Sequence, residues 1–355
     1  MREYQNILVH SLVNLGDVLL TTSAVSLLKK QYPQAKITMM VRPMAAGILQ
    51  NNAVIDEVLI YDYKGKHKPI GKMLEFARHL RARKFDLSIS FDRKLRPALL
   101  CILAGIPVRV GPDRVFDDKS SWVTKLYTQT ITIPHDLVNT HQGETYQAII
   151  RGFTGRGDSM KPVIGRVMPE HQEKAHFLLS TLPMSKVRIG LCVKGTFALK
   201  NWSQERFAQL VDQLAVLYDA AFFIIGAPED KVYGEEVIQK THTPIANFCG
   251  QTRLMDLAAL LQKTDLFITV DTGATHIAAT VGVPMIVMYG CTSPKRWQPL
   301  SDSAVVLSTN EACCPCAISE NACPEHMCMK GISVLQVIDE IEKVACAKQG
   351  RWRII

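Results

Sequence analysis

Residues 266–289 read LFITVDTGATHIAATVGVPMIVMY. An apolar run of strand length, Leu266 to Val270, stops at the turn-forming Asp271-Thr272-Gly273. A helical pattern then runs from Thr275 to Val281, Gly282-Val283-Pro284 breaks it, and a second apolar run, Met285 to Tyr289, follows. Strand, crossover helix and strand in this order form the repeating unit of a parallel sheet, which places the chain among α/β proteins.

The alternation extends in both directions. In the first half, strands are expected at Ile7–Leu12, Ile37–Val41, Val58–Tyr61, Leu87–Phe91, Val108–Gly111 and Thr130–Ile133, with helices notably at Asp17–Gln31 and Ile70–Arg83. A second series starts afresh with strands at Arg188–Val193, Ala221–Gly226, Leu266–Val270, Met285–Tyr289 and Val305–Leu307. Its helices are expected near Ser203–Leu217, Pro228–Lys240, Leu254–Gln262 and Thr275–Val281, and Ser333–Ala347 repeats apolar residues at helical spacing. Residues 153–170, rich in Gly and Pro, read as the connection. The expected organisation is a domain over 1–165, a second over 166–335, and a terminal helix and tail over 336–355. In tandem doubly wound domains, ligands sit outside the carboxyl ends of the strands, facing a crevice.

Composition agrees with two globular cores. The chain has 355 residues, 47% hydrophobic and 21% charged, against roughly 100–200 residues per domain. The longest apolar run, Ala98–Ile106, is far shorter than the roughly 18–20 residues that span a bilayer, and Glu3, Gln5 and Asn6 stand where a signal peptide would be apolar. The chain is therefore expected to be cytosolic or peripheral, and its ten cysteines to be thiols or metal ligands before disulfides. The net charge of +8 is uneven: residues 1–166 carry 24 Lys+Arg against 14 Asp+Glu, and the remainder 17 against 19. Lys64, Lys66, Lys68, Lys72 and Arg93 belong to a basic stretch that is either a solvated face or a surface for an anionic partner.

Three loops carry the chemistry. Leu15-Gly16-Asp17 follows the first strand and opens a helix; Asp17 is either the N-cap of that helix or a carboxylate placed to take a proton from an attacking hydroxyl. Lys194-Gly195-Thr196-Phe197-Ala198-Leu199-Lys200-Asn201-Trp202 follows the first strand of the second series and aims Lys200 at the crevice, although a lysine there can also be merely solvated. Asp271-Thr272-Gly273 ends a buried strand at a helix N-terminus, whose amides and dipole suit a phosphate; His276, one turn later, reads equally as a core histidine. The chain has no P-loop, no strand-to-helix dinucleotide fingerprint, no His-Glu-x-x-His and no Asp-x-Asp, so a diphosphate would be neutralised by lysine and helix amides. No basic motif interleaved with aromatics points to nucleic acid.

Gly16-Asp17, Lys200-x-Trp202 and Asp271-Thr272-Gly273-x-x-His276, continued by Gly282-Val283-Pro284 and Tyr289-Gly290-x-Thr292-x-Pro294-x-Arg296-Trp297, resemble the ADP-heptose:lipopolysaccharide heptosyltransferase family (glycosyltransferase family 9) over essentially the whole chain. The resemblance implies a GT-B fold: two Rossmann-like, doubly wound domains facing a central crevice, with the C-terminal helix packing back toward the N-terminal domain. It implies an acceptor-binding first domain, a donor-binding second domain, and inverting, metal-independent transfer from ADP-L-glycero-D-manno-heptose to the lipopolysaccharide inner core. The setting would be the cytoplasmic face of the inner membrane of a Gram-negative bacterium, with an anionic phosphorylated glycolipid as acceptor partner. By the same resemblance Asp17 is the general base, and Thr196, Lys200, Glu229, Asp271, Thr272, Gly273 and His276 form the donor site. Lys64, Lys66, Lys68 and Arg93 are assigned to the acceptor from the charge distribution. The chain departs from the family pattern at Ser11, Val13, Asn201 and Cys291, which bears on the acceptor more than on the fold. Two other readings are a GT-B enzyme for another nucleotide sugar or acceptor, and a non-catalytic module that keeps the fold.

Cys313, Cys314, Cys316, Cys323 and Cys328 lie within sixteen residues, with His326 among them. The spacing of Cys313, Cys316, Cys323 and Cys328 approximates a structural metal site, with reduced thiols as the alternative.

Overall fold

The computed structural model describes residues 3–92, 94–114, 121–133, 136, 138–309, 311–316, 323 and 325–347. The chain forms two compact units, Met1–Arg166 and Val167–Ile355. The first unit holds strands β1 (Asn6–Ser11), β2 (Lys36–Val41), β3 (Glu57–Ile60), β4 (Leu87–Ser90), β5 (Val108–Pro112) and β6 (Gln129–Ile131). The second holds β7 (Val187–Cys192), β8 (Ala220–Ile224), β9 (Ile245–Asn247), β10 (Leu266–Val270), β11 (Met285–Tyr289) and β12 (Ala304–Ser308).

Both sheets are entirely parallel, and their orders are β3-β2-β1-β4-β5-β6 and β12-β11-β10-β7-β8-β9. Ile7 pairs with Ile37 on one side and Leu87 on the other, so β1 is central, and Ile7, Leu8 and Val9 are all fully buried. A strand covered by helices on both faces is largely apolar along its length, which is why these segments read as near-continuous runs and not as alternations. Strand order reverses between β1 and β4, and again between β7 and β10. The loops after those four strands therefore emerge beside the reversal, on the edge where doubly wound sheets bind ligands.

Each strand expected from the sequence is present. The structure adds β9, a three-residue edge strand, and the helices Leu95–Leu103, Gln142–Thr154 and Pro169–Ser180. Three half-exposed residues at an edge leave almost no periodic signal. The first helix starts at Leu15 with Asn14 as N-cap, so Asp17 lies in its first turn and is not the cap. The expected connection is bound down over much of its length: Met160 N–H donates to Gln147 Oε1 (2.7 Å), Val163 N–H to Thr22 Oγ1 (2.8 Å) and Gly165 N–H to the Ile48 carbonyl (2.7 Å).

The C-terminal helix, Val334–Ala347, lays Val334, Val337, Ile338 and Ile341 into the core of the second unit beside Trp202, Phe207 and Leu214, because its apolar stripe matches the surface of the Gln204–Leu217 helix. Leu335, read from the sequence as part of that stripe, points to solvent.

The first unit also buries an ion pair. His10 on β1 is 1% exposed, and its Nδ1 lies 3.6 Å from Oδ2 of Asp92, which follows β4; this is ion-pair distance and longer than a hydrogen bond. Asp92 is further satisfied by the Leu12 N–H (2.8 Å) and the Lys94 N–H (3.0 Å), so one carboxylate ties together the loops after β1 and β4. Burial opposes protonation of His10, but Asp92 and the Cys101 side chain outweigh it and push its pKa from 6.5 up to about 10. Burial raises the Asp92 pKa, and His10 with the two amides lowers it further, to a net value below the ordinary 3.8. Stabilisation from the raised histidine is complete below 6.5 and is lost as pH climbs toward 10, whereas that from the depressed carboxylate is complete above 3.8 and is lost in acid. His10→Ala should therefore cost about 3–5 kcal/mol of unfolding free energy at pH 6, the scale for removing one partner of a buried pair. Urea denaturation from pH 5 to 10 measures it; an alanine variant as stable as the parent at pH 6 would show that the pair contributes nothing net.

Candidate active site

Two groups of side chains stand at the two strand-order reversals. In the first unit, Asp17 sits half-buried one turn into its helix, and Tyr146 Oη donates to its Oδ1 at 2.9 Å. Tyr146 is 1% exposed and meets Phe91 edge to face, with ring centroids 5.9 Å apart. The Asp17 carbonyl accepts from Thr21 Oγ1 (2.7 Å), and Thr21 Oγ1 lies 3.2 Å from Ser11 Oγ, the residue where a basic side chain is usual. Beneath this turn, Asp92 fixes Leu12, and Lys94 Nζ donates to the Leu12 carbonyl and to Tyr63 Oη. The aspartate thus stands on a loop whose backbone is anchored from below.

Lys64, Lys66 and Lys68 are exposed on the loop after β3. That loop is shaped by Asp62, which accepts from the Gly65 N–H (2.9 Å) and Lys66 N–H (3.1 Å), and by Arg96, which donates to the carbonyls of Tyr63, His67 and Lys68. Lys72 pairs with Glu75 at 2.8 Å. Arg93 lies outside the described residues.

In the second unit, the order β11-β10-β7-β8 makes neighbours of the loops that follow those strands. Lys200 Nζ pairs with Asp271 Oδ2 at 2.6 Å and lies 5.0 Å from the Phe197 ring centroid. Asp271 Oδ2 also accepts from Thr292 Oγ1 at 2.7 Å. Asp271, expected from the sequence in a donor site, thus ties Lys200 and the Thr292 loop together. Thr272 caps the Gly273–Val281 helix, accepting from the Ala274 N–H at 3.0 Å. His276 is 5% exposed within that helix, and Thr196 and Glu229 are exposed on the loops after β7 and β8. Gly195 is required by packing, since a Cβ there would stand 2.6 Å from Lys200 Cβ. Its N–H donates to Asn201 Oδ1 at 2.7 Å, which locks the loop. Lys194 is not a loose surface lysine either: it pairs with Asp230 at 2.8 Å.

The cysteine-bearing segment braces these loops. Cys316 N–H donates to the Cys291 carbonyl (2.9 Å), and His326 Nε2 lies 2.8 Å from the Leu199 carbonyl. Arg206 donates to the carbonyls of Met329, Lys330 and Ile332, and Trp202 Nε1 donates to that of Ile332 at 2.9 Å. Burial, with the Cys328 and Cys313 thiols beside it, pushes the Cys314 thiol well up, and burial likewise raises Cys328. Among the described residues, no three His, Cys, Asp or Glu side chains are grouped to share a metal ion.

Sequence reasoning missed Tyr146, Thr292 as a partner, and the Asp92–His10 pair. Thr145, Tyr146, Ile149 and Ile150 have helical spacing that could have revealed their helix, but nothing in the sequence links Tyr146 to an aspartate 129 positions away.

Comparison with known proteins agrees with this arrangement. The chain is 26% identical to lipopolysaccharide heptosyltransferase 3 of Escherichia coli K12 over 294 residues, covering 82% of this chain and 84% of that protein. A glycosyl transferase family 9 structure from Veillonella parvula superposes with a TM-score of 0.83 at 25% identity, covering 96% of this chain and 97% of that one. The E. coli ADP-heptose lps heptosyltransferase II structure superposes with a TM-score of 0.80 at 21% identity, covering 98% and 100%. The two parallel sheets are thus those of the GT-B heptosyltransferase fold. Residues 73–326 match the model of glycosyltransferase family 9 (heptosyltransferase), and with most of its length inside that match the chain belongs to this family of transferases.

Proposed function

We propose that this glycosyltransferase moves a heptose from ADP-L-glycero-D-manno-heptose to a lipopolysaccharide inner-core acceptor, with inversion at the anomeric carbon and without a catalytic metal. The observation that carries the reading is the Lys200–Asp271–Thr292 cluster beside the capped N-terminus of the Gly273–Val281 helix, in a chain without Asp-x-Asp. Relatives named as lipopolysaccharide heptosyltransferases support the acceptor class, and a neighbour named for ADP-heptose supports the donor.

The chemistry follows from where charge appears. Inverting transfer develops positive charge at the anomeric carbon and negative charge on the departing ADP. On the donor side Lys200 and the helix amides stabilise the second charge, and because Asp271 already holds the ammonium in place, little reorganisation is needed as the charge grows. On the acceptor side Asp17 takes the hydroxyl proton, late, as bond formation makes that hydroxyl acidic. Glu229 and Thr196 are assigned to the adenosine and diphosphate parts of the donor. Gly273 admits the phosphates to the helix N-terminus, and His276 supports that turn from within.

The exposed Lys64, Lys66 and Lys68, with Arg93, are assigned to the anionic acceptor at the cytoplasmic surface of the inner membrane. Among the described residues no helix is long and apolar enough to cross a bilayer, so association would be peripheral, by charge.

Asp17→Asn should reduce turnover roughly 10²- to 10⁴-fold while ADP affinity stays near the parent value. Parent-level turnover in steady-state assays would remove Asp17 from the mechanism. Lys200→Ala should weaken ADP binding by about 1.5–3 kcal/mol in calorimetry, the scale of a hydrogen bond to a charged group, and turnover should survive EDTA; a strict requirement for added Mg²⁺ would refute the metal-free reading. In a donor panel, turnover with another nucleotide sugar and none with ADP-heptose would overturn the donor.

For the basic loop, changing Lys64, Lys66, Lys68 and Lys72 together to Gln should raise KM for vesicle-presented acceptor and flatten its salt dependence, each charge contributing about 1 kcal/mol of surface attraction. Unchanged acceptor kinetics at low salt would mean that the lysines form only a solvated face.

A further inference from the structure

The Asp17 carboxylate is held by a residue that no motif contains. Tyr146 comes from the helix Gln142–Thr154, which packs along the helix Leu15–Gln31. Its ring is 1% exposed and is pinned edge-on by the fully buried Phe91, so the phenol cannot swing away without opening the core. An ionised carboxylate only accepts, so the direction of the 2.9 Å contact is fixed: Tyr146 Oη donates to Asp17 Oδ1.

We propose that Tyr146 is a positioning residue for the transfer reaction: by engaging Oδ1 it fixes the plane in which the carboxylate accepts the proton. This rests on the reading of Asp17 as the base. A hydrogen bond donated to the ionised form favours that form over the protonated one, so removing the hydroxyl acts on charge state as well as on orientation. The surrounding structure supports positioning over mere packing. Asp17 is half-buried in the first turn of its helix, past the N-cap position held by Asn14, and the loop before it is anchored by Asp92.

The test is Tyr146→Phe in the full chain, which keeps the ring and its Phe91 contact and removes only the hydroxyl. Turnover should fall about ten- to a hundredfold, the loss expected for one hydrogen bond to a charged group. KM for the donor should stay within about twofold, since donor binding belongs to other residues. The acidic limb of the pH profile of kcat/KM should move to higher pH, because the carboxylate loses a donor that favours its charged form. A fall in turnover with an unmoved limb would assign Tyr146 to packing alone and overturn the proposal, as would parent-like turnover with a superimposable profile. Should phenylalanine not be accepted at this buried position, 3-fluorotyrosine at residue 146, a stronger donor of nearly the same size, should move the limb to lower pH; an unmoved limb there also overturns the proposal. Asp17→Asn separates the two readings. If that variant turns over normally, the base assignment falls first; if it is inactive and Tyr146→Phe is unchanged, only the positioning role falls.

Discussion

The constraint on which the rest of the structure depends is the reversal of strand order, between β1 and β4 in one sheet and between β7 and β10 in the other. Crossover connections from adjacent strands leave there in opposite directions, so the carboxyl edge at that point is not roofed by a helix. Asp17 and Asp92 follow β1 and β4; Lys200 and Asp271 follow β7 and β10. The fold thus places a pair of charged loops at the open edge of each unit before any local chemistry acts.

At each reversal a carboxylate with little solvent contact serves as an anchor. Asp92 collects His10, the Leu12 amide and the Lys94 amide; Asp271 collects Lys200 and Thr292. Charge-assisted bonds in such surroundings are short and directional, and leaving one partner unpaired costs far more than the pair contributes net. The anchors therefore specify loop geometry more than they add stability. The Asp271 pairing holds the Lys200 ammonium in one place beside the Gly273–Val281 helix N-terminus.

The cysteine-bearing segment is the second support of those loops. Its contacts are made by backbone and His326 and reach both the Lys200 loop and the Thr292 loop. Burial and the neighbouring thiols raise the pKa of Cys314 and Cys328, which lie beside each other in that segment.

The sequence by itself determined the α/β class, the central strands and the three site loops, because a strand buried on both faces is largely apolar and a turn into a helix must carry residues such as Thr272-Gly273. It also carried the motif Asp271-Thr272-Gly273-x-x-His276, whose residues are adjacent along the chain and so legible without a fold. Tertiary structure alone decided the partners. Asp17 looked like a helix cap until Asn14 took that place and Tyr146 arrived from 129 residues away. Lys200 found its partner in Asp271, 71 residues on. The terminal helix had a readable apolar stripe, but not which surface would receive it. Periodicity records which face of an element is dry; it carries no information on which distant polar atom meets another, because that depends on strand order and loop path, and these are fixed only when the whole sheet closes its pairings.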